Sequence, residues 1–153
     1  MLAKDIMKTP VITVSADMTI EEVAKLLRQN RISGVPVVDG DGNVLGVVSE
    51  MDVMRKTVRP DTPSIWQLFL WEFTDIKKHY EYDDIQRRCL AQTAGEIMTA
   101  PAICADENDD LKKIGETIFD HRIKRVFITR QGKLVGVVSR SSFMKLLLRD
   151  KTT

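Results

Sequence analysis

Cysteine and histidine are scarce, with two of each in 153 residues. Cys89 and Cys104 stand in unrelated contexts with no further Cys or His at metal-ligand spacing, which excludes a disulfide scaffold and a zinc-ribbon type of site. Two buried or half-buried thiols in a reducing compartment is the expected reading. Charge of one sign is also lacking. With 23 basic against 22 acidic side chains the net charge is +1, so no bulk field draws the chain to nucleic acid or an anionic membrane, and any anion site must be local. Nor is there a long hydrophobic run. The longest, Ile65 to Trp71, is far short of the roughly 20 residues of a spanning helix, and the first residues lack the pattern of a secretory signal. These features lead us to expect a soluble, cytoplasmic chain without membrane contact. The 43% hydrophobic and 29% charged composition excludes a disordered or fibrous chain. A unit of this size can bury about 68–70% of its unfolded surface.

What is present is a repeat. Ile6-Met7-Lys8-Thr9-Pro10 returns as Ile97-Met98-Thr99-Ala100-Pro101, and Arg31-Ile32-Ser33-Gly34-Val35 as Arg122-Ile123-Lys124-Arg125-Val126, both at an offset of 91. Gly46-Val47-Val48-Ser49 returns as Gly136-Val137-Val138-Ser139 at 90. Each copy opens with an extended stretch, 11–14 or 102–105. A helix follows, capped by Asp17 or Asn108, with apolar residues at helical spacing: Ile20, Val23, Ala24 and Leu27, or Leu111, Ile114 and Ile118. Two β-rich runs joined by a polar turn come next, then a helix from Ser49 or Ser139. The predicted fold class is therefore α/β, with strand-helix-strand-strand-helix in each copy. A unit of about 55 residues has a thin core alone, so the copies are expected to pack together as a pseudo-symmetric pair. We place the first repeat at 1–56, the second at 94–150 and a helical insertion at 57–93.

Asp5-Ile6-Met7, Pro10, Ile32 to Asp39 and Gly46 to Asp52, with their counterparts, resemble the CBS motif named for cystathionine beta-synthase. Two in tandem resemble a CBS pair, or Bateman module, over about 3–55 and 94–148. No separate catalytic or channel domain remains beside them, so the chain looks like a stand-alone pair. The resemblance implies a regulatory module, not an enzyme, that binds an adenosine-containing ligand (AMP, ADP, ATP or S-adenosylmethionine) in the cleft between repeats. No catalytic residues, catalytic cofactor or metal site are expected. It also implies association into disc-shaped homodimers.

The residues themselves bear on such a site. At Gly46-Val-Val-Ser49-Glu-Met-Asp52 a strand delivers the chain to a helix N-terminus, where the helix dipole favours anions and Gly46 lets a ligand approach the backbone. A carboxylate one turn into the helix can accept from the two vicinal hydroxyls of a ribose. By resemblance Asp52 holds the ribose and Ser49 lies near phosphate. Ser-x-x-acid is equally a capping box that needs no ligand. In the second repeat Ser139 and Ser142 take these places, and a neutral hydroxyl bonds more weakly than a carboxylate by about 1–1.5 kcal/mol. The basic run His121-Arg122-Ile123-Lys124-Arg125 resembles segments of AMP-activated kinase gamma subunits that approach nucleotide phosphates. A solvated helix end explains it as well, and matching positions favour a helix-end role for Arg31 and Arg122. By resemblance Thr13, Val14, Val35, Pro36 and Val37 form the base pocket; ordinary β-core is the alternative.

Two features stand apart. Asp39, Asp41, Asn43 and Glu50 mimic the spacing of a calcium loop but lack its Gly at position 6, so a polar hairpin turn is expected. The insertion holds six of the nine aromatics, and Thr62-Pro63 is a good helix start. It either caps the pair's own core or offers a surface to a partner protein. The rival function is accordingly a ligand-free interaction module working through dimerisation and this insert.

Overall fold

The computed structural model describes residues 1–57 and 90–149; the part of the insertion that holds its six aromatics, with the expected helix start at Thr62-Pro63, lies outside them. In the first repeat, α1 (Ala3–Ile6) and α2 (Ile20–Gln29) precede β1 (Gly34–Val38), β2 (Val44–Ser49) and α3 (Glu50–Thr57). In the second, α4 (Ala94–Ile97) and β3 (Cys104–Asp106) lead to α5 (Leu111–Asp120), β4 (Arg125–Arg130), β5 (Lys133–Ser139) and α6 (Arg140–Arg149). The architecture is the expected pair of mixed α/β repeats. Among the described residues no helix is long and apolar enough to cross a membrane.

Each repeat is built on an antiparallel hairpin, Gly34 opposite Ser49 and Arg125 opposite Ser139. A leading segment pairs parallel to the first hairpin strand: β3 along β4 in the second repeat, and in the first a single bridge between Val14 and Val37. The amphipathic helix covers one sheet face with the residues its periodicity marked, Ile20, Val23 and Leu27 or Leu111, Ile114 and Ile118, all buried. The caps, however, lie two residues after the expected Asp17 and Asn108. Thr19 closes a capping box with Glu22, its Oγ1 accepting from the Glu22 amide at 3.3 Å, and Asp110 accepts from the Lys112 amide at 2.8 Å. Asn108 instead donates its amide to Asp106 at 2.9 Å within the preceding turn.

Both helices end alike. Arg31 and Arg122 each take φ 52°, and the Ile32 and Ile123 amides reach back to the carbonyls of Leu27 and Ile118 at 3.0 and 3.1 Å. This is a Schellman closure in which Arg occupies the left-handed position that Gly usually fills. Asp39 Oδ1 accepts from the amides of Asp41 and Asn43, both at 2.9 Å, which makes 39–43 the expected polar hairpin turn. Cys104, expected at least half-buried, is exposed at the start of β3.

The two repeats exchange their leading segments. The α1 segment belongs to the core of the second repeat, where Ala3 packs with Ile114, Ile118, Val126, Ile128 and Val138. Its Ala3 amide donates to Asp109 at 2.9 Å, and Lys8 pairs with Val137. Reciprocally, Ala91, Ala94 and Ile97 join the core of the first repeat with Val23, Val35 and Val48. The Ala94 and Gly95 amides donate to Met18 and Ala16, both at 2.8 Å, and Thr99 pairs with Val47.

This exchange explains the repeated glycines. Gly46 does not open the backbone to a ligand as expected; a Cβ there would stand 2.7 Å from Met98 Sδ and 2.8 Å from the Thr99 carbonyl oxygen. At Gly136 the same place is taken by the Met7 side chain. The glycines admit the visiting segment of the other repeat. Because the Thr99 backbone cannot retreat without breaking the bridge to Val47, Gly46→Ala should destabilise the protein by about 1–3 kcal/mol, the usual cost of overpacking. Gly40→Ala, with open space around it, should change stability by less than about 0.5 kcal/mol. Urea denaturation of both variants checks the contrast.

Candidate functional site

The exchanged segments shape a cleft between the repeats. At the end of β2 the chain turns into α3, and Ser49 and Asp52 close a capping box. Asp52 Oδ2 accepts from the Ser49 amide and hydroxyl, both at 2.8 Å, and the Asp52 amide donates back to Ser49 Oγ at 3.4 Å. Asp52 is 4% exposed. The capping role foreseen from Ser-x-x-acid is thus real, and it fixes the carboxylate at the first turn of α3 on the wall of a cavity of about 410 Å³. That volume lies within the roughly 300–1,000 Å³ of small-molecule sites.

The second repeat contributes Thr99, Pro101, Ala102 and Ile103, the continuation of the segment that visits the first repeat, and Phe127 to the same cavity lining. Met51 and Met54 of α3 add apolar surface. The lining also includes Arg122, Lys124 and Arg125, with Ser33, Gly34 and Glu50. Arg122 and Lys124 are exposed, and Arg125 is half-buried. The Arg125 guanidinium crosses from one repeat to the other and donates to the Gly34 carbonyl and the Ser33 hydroxyl. Burial draws its pKa below the ordinary arginine value, and the charge of Glu50 opposes that shift.

Five of the expected site residues therefore meet at this cavity: Ser49, Asp52, Arg122, Lys124 and Arg125. Others lie elsewhere. Val35 and Val37 are fully buried in the core of the first repeat, where Val14 pairs with Val37, and Pro36 is buried beside them. Thr13 is exposed outside the cavity lining. Gly46 is covered by Met98 and Thr99. His121 is the exposed C-cap of α5, its amide donating to the Thr117 carbonyl at 3.2 Å.

Ser142, 4% exposed, matches Asp52 in position and accepts from the Ser139 amide at 3.2 Å. It lines a different cavity of about 420 Å³ with Asp5, Lys8 and Lys145, while Ser139 bonds Ser141 at 2.8 Å. The lining residues Thr99, Pro101 and Ile103 escape the sequence reading, because the spacing assigns the 102–105 stretch to the second repeat and does not show which repeat the segment before it packs against. The signal was available in the Met-Thr-Ala-Pro copy, whose partner face is set only by the exchange.

A model of the CBS domain matches residues 3–59 and 94–149, most of the chain. The chain belongs to the CBS-domain family. Among relatives of this CBS pair is an uncharacterized protein of Methanocaldococcus jannaschii, MJ1426, 29% identical over 155 residues that span 97% of this chain and 92% of that protein. The chloroplastic CBSX1 of Arabidopsis thaliana is 24% identical over 90% of this chain, which spans 59% of CBSX1. Among solved structures, CBSX2 in complex with AMP superposes with a TM-score of 0.79 at 20% identity, covering 98% of both chains. The CBS pair of MJ0100, solved with methylthioadenosine and S-adenosylmethionine, gives 0.70 at 22% identity over 99% of this chain and 98% of that one. At these identities the structural likeness establishes the fold of the CBS pair.

The capping box makes one prediction independent of any ligand. Asp52→Ala leaves the Ser49 amide and hydroxyl without their acceptor, so the variant should lose about 0.5–2 kcal/mol of stability. Asp52→Asn, which keeps an acceptor oxygen, should lose less. Thermal or urea unfolding without added nucleoside measures both.

Proposed function

We propose that the protein is a regulatory module, not an enzyme, whose inter-repeat cleft binds an adenosine-containing small molecule, with AMP, ADP, ATP and S-adenosylmethionine as the candidate class. The carrying observation is the juxtaposition of Asp52 from the first repeat with an apolar wall and three cations from the second. A carboxylate held at a helix start suits the vicinal hydroxyls of a ribose. Ile103, Phe127, Met51 and Met54 offer the flat apolar contact a purine needs, and cations suit phosphate. The AMP and S-adenosylmethionine complexes of the superposed CBS pairs support the same class of ligand. Ser49 has a double role in this reading, as cap and as a hydroxyl at the mouth of the site.

Regulation requires that the ligand favour one state over another. The cleft is suited to that, because its two walls belong to different repeats and closing on a ligand changes how they sit. The reading also includes a homodimer: Met144 and Leu148 on α6 are 57% and 69% exposed, apolar surface that a second copy can cover. Sedimentation should accordingly give twice the 17.4 kDa chain mass.

A thermal-shift panel with the four candidates tests the ligand. A binder at 100 times its Kd should stabilise the fold by about 2.7 kcal/mol, and Asp52→Ala should abolish most of that gain beyond its own loss of cap stability. No shift with any candidate would refute the proposal and favour the ligand-free interaction module.

A further inference from the structure

The second cavity, of about 420 Å³, has no place in the proposed function. It lies where the α1 segment, from Asp5 to Lys8, meets Ser142, Lys145 and Leu146 of α6. It is not the mirror image of the Asp52 cleft. Of the positions that answer to that cleft's lining in the other repeat, only Lys8, for Thr99, and Ser142, for Asp52, recur here.

The composition of this lining departs from that of its own counterpart in one chemical direction. Asp5, Lys8, Ser142, Lys145 and Leu146 stand where the other copy has Glu96, Thr99, Asp52, Arg55 and Lys56. Those positions hold two acids and two bases; these hold two lysines and one acid, with an aliphatic side chain added. Among the described residues neither Lys8 nor Lys145 has a carboxylate within 4.0 Å, and the Asp5 carboxylate accepts from the Leu2 amide at 2.8 Å. Ser142 is 4% exposed, and its Oγ accepts from the Ser139 amide, but its own proton has no acceptor among the described residues. A buried hydroxyl proton left unpaired costs free energy that a ligand oxygen would recover. Ile6, Met7 and Leu146, all half-buried, give the same cavity an apolar surface.

We infer that this cavity is a second binding site, separate from the adenosine cleft, for a small amphipathic carboxylate. Lys8, Lys145 and the Ser142 hydroxyl hold the carboxylate, and Ile6, Met7 and Leu146 take its aliphatic body. A ribose is disfavoured, because Ser142 stands where the other copy has the carboxylate that could accept from a diol. A phosphate dianion is disfavoured too, since it brings more negative charge toward Asp5 and leaves the apolar surface uncovered. The inference goes beyond the proposed adenosine site, and either can fail without the other.

The test is an amide NMR titration of the full chain with hexanoate, its uncharged isostere hexanamide, and inorganic phosphate. Hexanoate should perturb the amides of 5–8 and 142–146 with a Kd on the order of 1 mM, as suits a ligand of so few atoms. Hexanamide and phosphate should each bind at least roughly tenfold more weakly, the first for want of charge-assisted bonds and the second for want of an apolar body. Lys145→Gln, at an exposed position, should weaken hexanoate about tenfold and leave hexanamide unchanged. Saturating AMP should not displace hexanoate. Equal binding of hexanamide would reveal an apolar crevice without selection for an anion, and equal binding of phosphate an adventitious ion only; either overturns the inference. So does displacement by AMP, perturbation confined to 99–103 and 122–125, an unchanged affinity in Lys145→Gln, or no perturbation at about ten times the expected Kd. Failure of AMP itself to bind refutes the adenosine site alone. The comparison of the three ligands on the wild-type chain decides the matter even should the variant not fold.

Discussion

The reciprocal exchange of leading segments is the constraint on which the rest depends. Neither repeat closes its own core: α1 completes the second and the segment around α4 completes the first. The exchange makes the two copies one folding problem, since a hairpin with one amphipathic helix leaves apolar surface that a domain of about 55 residues cannot hide. It also decides where a ligand can go. The stretch that leaves the first repeat at Thr99 runs on through Pro101 and Ile103 opposite α3, so the cavity is bounded by both copies because the chain had to cross between them.

Seen from that crossing, several local choices become consistent. A glycine is required wherever the visiting strand lies against the second hairpin strand, and Gly46 and Gly136 answer to Met98 and Met7 in turn. The Schellman turns at Arg31 and Arg122 place the next strand in register without a glycine, which leaves a cationic side chain at the same point of each copy. Asp52 shows the same economy. Its carboxylate satisfies the start of α3 and, in doing so, is held at one position on the cavity wall instead of sampling rotamers in solvent.

How much of this was legible in the sequence follows from the range of the interactions involved. Helix faces and hairpins were readable because Ile20, Val23 and Leu27, or Val35 and Val37, announce their burial through local periodicity. The caps slipped by two residues because Asp17 and Asn108 have the same local chemistry as Thr19 and Asp110, and which of them caps is set by where the visiting segment pins the chain: the Ile20 amide goes to Gln92 and the Leu111 amide to Met1. Asp52, Lys124 and Arg125 could be named because motif and charge mark them. Thr99, Pro101 and Ile103 could not, since their meaning lies in a contact about 50 positions away in sequence; of the residues expected at the base pocket, Thr13, Val14, Val35, Pro36 and Val37, the three valines belong to the core of the first repeat.

The departures from two-fold symmetry are what separate the clefts chemically. Backbone geometry is nearly duplicated, down to the matched φ of 52°, yet Asp52 is answered by Ser142 and Gly34 by Arg125. Both changes act on the same cavity. The first keeps a carboxylate there and removes it from its mirror position; the second sends a guanidinium back across the seam to the side that has the carboxylate. A symmetric duplicate would spread acid and base evenly between two equivalent sites. Here the carboxylate and the cations are gathered in one, so that under the proposed function a single molecule carrying both a diol and a negative charge would touch both repeats at once. Under that proposal a ligand bridging the repeats would have a direct mechanical hold on their relative placement, which a regulatory role requires because a ligand shifts an equilibrium only through its differential affinity for two arrangements.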